Sequence, residues 1–227
     1  VYALEGDEAL TASMSVVPIG MLINGMFLGV WIILPKYISN DTLKLPFTVI
    51  SSLCTWAVLA LFSLIIAREV TDGIISEMML GVIGLVLLAI LAVMFNLKNR
   101  AAPKGENKVP IMILSIRGIA AGLAIAACLV LAKIGLPFVA GLASAFPAIF
   151  LTSMVALWIS QGPQVPQGAA APMMLGGASV SVYALLAMWS LPSFGIILGS
   201  VIAWFGAVGL WTIPAFLLLR NYRLGID

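Results

Sequence analysis

Seven apolar stretches, each near the length of a bilayer crossing, fill almost the whole of this chain, and only one formal charge falls inside them. This pattern constrains the fold before any motif does. Membrane hydrocarbon offers backbone amides no partner, so only helices and closed barrels can cross it. A crossing helix needs about 20 apolar residues. The stretches lie near 14–35, 46–67, 78–97, 109–132, 137–160, 171–191 and 194–219. Barrel strands alternate apolar and polar residues over about ten positions, whereas these runs are apolar on every side. The predicted fold is therefore all-α, a polytopic transmembrane helical bundle of seven spans. A hydrophobic content of 63% and a mean hydropathy of +1.18 agree with it.

The charges between the spans set an orientation. If the chain crosses alternately, Lys36, Lys44, Lys98, Arg100, Lys104, Lys108, Arg220 and Arg223 fall on one side. Arg68 and Lys133 fall on the other, with Glu5, Asp7, Glu8, Glu69, Asp72 and Glu77. Basic residues favour the cytoplasmic face, so the N-terminus is expected outside and the C-terminus inside. A net charge of +2 gives no reason to expect nucleic acid as a partner.

Much chemistry is absent from the sequence. There is no histidine, which removes the commonest general base, proton shuttle and metal ligand. No Asp or Glu lies within a span, and no phosphate loop, metalloprotease motif or nucleophile elbow occurs. The expectation is a non-enzyme without cofactor or metal. Cys54 and Cys128 fall inside predicted helices and read as small buried hydrophobes.

Spans 1–2 and 6–7 share features. Pro18, Trp31 and Pro35 in the first pair match Pro172, Trp189 and Pro192 in the second, and Ser52-x-x-x-Trp56 matches Ser200-x-x-x-Trp204. An offset of five helices reverses orientation and would make an inverted repeat. The other reading is that Trp and Pro mark helix ends in any membrane protein. On the repeat reading, 1–97 is a three-helix remainder of a first unit, with helices expected upstream of Val1. Residues 98–108 are then a basic cytoplasmic linker and 109–227 a four-helix second unit. The uncharged segment 161–170 reads as a stiff proline-rich connector or as a segment packed against something.

The run Val139-Ala140-Gly141-Leu142-Ala143-Ser144-Ala145-Phe146-Pro147, with Arg117 ahead of it and Trp204 behind, resembles the GlpM-like family of small four-helix bacterial membrane proteins. The resemblance spans about 110–219. It implies a four-helix unit more than an activity, and this chain departs from it by three further spans ahead. A duplicated, inverted unit is also similar in plan to the drug/metabolite transporters, an architectural analogy.

Candidate site residues follow from what membranes make costly. Arg117 is the charge within a span, placed either to bind a carboxylate or phosphate or to snorkel to the interface. Pro147 lies mid-way along span 5, near Ser144, Thr152 and Ser153, where it either breaks the helix at a binding site or makes a packing kink. Asn24 with Ser51, Ser52 and Thr55, and Ser179 with Ser181 and Tyr183, form further polar clusters that serve either a pocket or interhelical hydrogen bonding. Tyr183 is the favoured pocket residue of its cluster. Trp56 and Trp204 lie deep and are expected to line the central interface. Trp31, Trp158, Trp189 and Trp211 are expected in the interfacial belts.

Two functions stay open. One is an integral, multi-pass transporter moving a small organic solute, anionic or otherwise, by alternating access. The other is an accessory subunit of a larger membrane complex. The bilayer is the partner common to both. A small-molecule substrate belongs to the first, and a homodimer or larger assembly is open to either.

Overall fold

In the computed structural model of the protein, the described residues are 2–70, 76–99, 102–103, 110–112, 115–116, 118–119, 122–123, 126, 130 and 146–224. Regular structure among them is helical: α1 (Tyr2–Ile33), a 3-10 turn (Leu34–Lys36), α2 (Asp41–Val70), α3 (Glu77–Lys98), α4 (Ala148–Gln161), α5 (Gln164–Ala207), a π turn (Val208–Thr212) and α6 (Ile213–Leu224). Among the described residues, four helical stretches are long and apolar enough to cross a bilayer: Leu10–Lys36, Asp41–Ser63, Glu77–Lys98 and Gln164–Asn221.

Local signals explain the helix ends. The Asn40 side chain accepts from the Thr42 amide at 3.1 Å and opens α2. Ser76 accepts from the Met79 amide at 3.3 Å and opens α3. Such caps satisfy amides that the helix itself cannot. Lys98 closes α3, where the negative end of the helix dipole favours a cation. Gly162 ends α4 with φ at 84°, a region open to glycine.

The Gln164–Asn221 stretch is 58 residues, about 87 Å if straight and far beyond a bilayer. It is not straight. Gly195 has φ 76° and ψ 174°, a conformation that side chains forbid, and the chain reverses there. Ser190 Oγ donates to the Gly199 carbonyl at 2.9 Å. Ala187, Leu191 and Ala203 share one apolar cluster with Leu10. Trp211 Nε1 donates to the Leu175 carbonyl at 2.8 Å, from within the π turn. Residues 164–194 and 196–224 thus run antiparallel as a helical hairpin.

The hub is α1, which packs on α2, α3 and α5. Its Pro18 nests on Gly81 and Gly84 of α3, where a Cβ at Gly84 would stand 3.0 Å from the backbone of Pro18 and Ile19. Asn96 of α3 is buried and donates to the Ala171 carbonyl of α5 at 2.8 Å. The largest apolar cluster joins Phe27, Leu28, Trp31 and Ile32 of α1 to Met154 of α4 and to Ala171, Met174 and Leu175 of α5. Residues from both sides of 98–108 therefore share one core.

Several expectations change. Helix α1 starts at Tyr2, ahead of the expected span start near residue 14, and takes in the acidic Glu5–Glu8 segment. Segment 161–170 is not a connector: α5 begins at Gln164, with Val165, Pro166, Gly168 and Ala170 buried. Pro166 fits there because the first helical turn has no use for its missing N–H. Helix α4 begins after Pro147 and has 14 residues, about 21 Å, less than a crossing. Cys54 is exposed on the outer flank of α2 rather than buried. Trp31 is fully buried, edge-on to Trp158 at 6.0 Å, rather than in a lipid-facing belt. Most of 99–145, including Arg117, Cys128, just over half of span 4 and most of the basic linker, lies outside the described residues.

Candidate functional site

Lysines 36 and 98 are brought to the same end of the bundle by the antiparallel arrangement of the helices. The 3-10 turn after α1, fixed by Pro35, places Lys36, and the last turn of α3 places Lys98 and Asn99. The start of α5 adds Gln164 and Gln167. These side chains line a cavity of about 590 Å³, with Ile32 and Gly168 against it. Lys36 Nζ lies 3.4 Å from Asn99 Oδ1, a long hydrogen bond, and Asn99 Nδ2 donates to the Phe95 carbonyl at 2.8 Å.

Chemically this is an anion-receptive chamber. Two ammonium groups supply charge, and three carboxamides supply donors and acceptors. The positive end of α5 adds to the field. None of the described lining side chains is a general base. Among the described residues no group of three His, Cys, Asp or Glu side chains could hold a metal.

A second cavity, of about 460 Å³, is a lateral cleft between α1, α2 and α3. Ser51 and Thr55, read from the sequence as part of a polar cluster, line it beside Met26, Gly29, Val30 and Phe95.

No family model, characterised protein or solved structure matches this chain.

The residues singled out in the sequence do not converge. Arg117 and Ser144 lie outside the described residues. Pro147 is fully buried and caps the start of α4 instead of kinking a helix interior. Thr152 and Ser153 donate back to the Ala148 and Ile149 carbonyls of their own helix. Ser52 is fully buried and bonded to the Val49 carbonyl at 2.9 Å. Asn24 is buried, with its amide 3.7 Å from Met21 Sδ. Tyr183 is half-buried beside the Leu10–Leu191 cluster, at the end opposite the lysines. None of the described residues among these lines either cavity.

Members of the expected repeat sit in unlike surroundings. Trp56 is half-buried, edge-on to Phe146 at 5.1 Å, whereas Trp204 is 56% exposed beside Phe205. Trp31 is buried and Trp189 exposed. Among the described residues the buried Trp31 Nε1, Trp56 Nε1 and Ser181 Oγ have no hydrogen-bond partner.

Lys36, Lys98, Asn99, Gln164 and Gln167 were the residues that sequence reasoning missed as a site. The lysines registered only as orientation markers. The glutamines registered only as an uncharged oddity of 161–170.

Proposed function

We propose that the protein is a multi-pass membrane carrier of a small organic anion, working by alternating access, with the Lys36–Lys98 chamber as the site that receives the anion from the basic side. One observation supports it above the others: two cations and three carboxamides from three separate helices face one chamber. Charge-assisted hydrogen bonds to an anion are the strongest such a set can offer. The chain is no enzyme in this reading, and the chamber binds rather than transforms.

The finer topology belongs to the same proposal. The lysine end is cytoplasmic and the N-terminus outside, an orientation supported by the gathering of Lys36 and Lys98 at one end and by the reversal at Gly195; α4, shorter than a crossing, does not count as a full span. Pro18, Pro46, Pro172 and Pro192 lie inside helices, and the π turn interrupts the last one, which gives the bundle places to bend. An inverted repeat and kinship with the GlpM-like plan remain part of the proposal as ideas from the sequence; they do not bear on the chamber.

The test is uptake of labelled organic anions by proteoliposomes. Lys36→Gln with Lys98→Gln is expected to lower uptake at least tenfold, since charged hydrogen bonds are worth about 1.5–3 kcal/mol each. Uptake indifferent to both substitutions would sink the proposal, and absence of uptake and of anion binding would favour the accessory-subunit role.

A further inference from the structure

We infer that the anion received by the chamber is an amphiphile with a single alkyl chain, its head held by Lys36 and Lys98 and its chain laid in the apolar cleft between α1, α2 and α3. The inference rests on the carrier reading above and names its ligand class. Gly29 and Val30 of α1 form the cleft floor, Ser51 and Thr55 of α2 one wall, and Phe95 of α3 the other. The α2 wall is less polar than its sequence implies. Thr55 Oγ1 donates to the Ser51 carbonyl at 2.8 Å, turning its hydroxyl back on its own helix.

The cleft and the chamber adjoin along two helices. Leu34 lines the cleft, and Lys36, two residues on, lines the chamber. Phe95 lines the cleft, and Lys98 and Asn99, one turn on, line the chamber. The Lys36–Asn99 contact of 3.4 Å ties the two helix ends together where the spaces adjoin. An apolar slot beside a chamber that holds two cations is complementary to a hydrocarbon tail with an anionic head. A hydrophilic anion would leave the slot unused, and a neutral lipid would leave the lysines without a counter-charge. From Met26 to Leu34 the slot follows about 12 Å of helix, which limits the chain it can take.

The experiment titrates the full chain, held in amphipol, with a homologous series from ethyl to decyl phosphate. Wild type is compared with Ser51→Phe/Thr55→Phe, which fills the cleft, and with Lys36→Gln/Lys98→Gln. The amphipol belt takes up the same chains in every protein, so the difference between proteins isolates the site. Wild type is expected to gain up to about fourfold in affinity per methylene over the cleft-filled variant until the slot is full. That variant should keep its ethyl phosphate affinity. The lysine variant should lose at least tenfold at every length. Should the α2 variant fail to elute as a single species, Val30→Phe fills the cleft from α1 instead. Equal affinity for ethyl and decyl phosphate, or a chain-length gain that survives filling the cleft, overturns the inference and leaves the carrier reading standing. Absence of alkyl phosphate binding at every length, with the lysine variant indistinguishable from wild type, overturns both.

Discussion

Helices α1 and α2 are neighbours with nearly equal hydropathy and opposite fates. The span Leu10–Lys36 has hydropathy 2.1 and 72% of its apolar window buried, while Asp41–Ser63 has hydropathy 1.9 and 17% buried. In water, two such helices would both be driven inward. In lipid the tails are as apolar as leucine, so hydropathy chooses the solvent but not the centre of the bundle. What distinguishes α1 is how closely other helices can approach it. Pro18 meets the glycines of α3, and Gly25 lies against Leu88. Helix α2 offers Phe47, Ile50, Val58, Leu61 and Phe62 to its surroundings.

The contrast can be broken by substitution, with unfolding followed by SDS titration in micelles. The largest loss is expected at the hairpin that α1 leans on. A Cβ at Gly199 would meet the Ser190 carbonyl at 2.5 Å, so Gly199→Leu should cost about 3 kcal/mol or more. Gly84→Leu, which pushes α3 off Pro18, should cost about 2–3 kcal/mol. Asn96→Ala removes the bond to Ala171 and should cost about 0.6–2 kcal/mol. Leu61→Ala, on the open flank of α2, should stay within about 0.5 kcal/mol. If Leu61→Ala costs as much as Gly84→Leu, then α2 is covered by a partner and the two helices are buried alike.

Much of the helix layout was legible beforehand. Expected span 78–97 became Glu77–Lys98 because Ser76 and Lys98 are ordinary start and stop signals. Expected spans 171–191 and 194–219 share the long Gln164–Asn221 stretch, and the reversal at Gly195 falls at the start of the second. The site was not legible, and the reason lies in where the sequence was searched. Polar residues within apolar runs drew attention, yet Thr152, Ser153 and Ser52 only return their hydroxyls to their own helices. A hydroxyl in lipid finds its nearest carbonyl first. The chamber came from helix ends, where Lys36, Lys98 and Gln164 are unremarkable one at a time.

The sequence alone determined the solvent and the helical answer to it, since long runs without charge must satisfy their backbones internally. Only the tertiary structure decided that α1 would be central, that 161–170 would join a buried helix, and that two lysines 62 positions apart would face one chamber. Close approach of backbones and convergence of helix ends depend on rotation and register between helices, and no single helix encodes either.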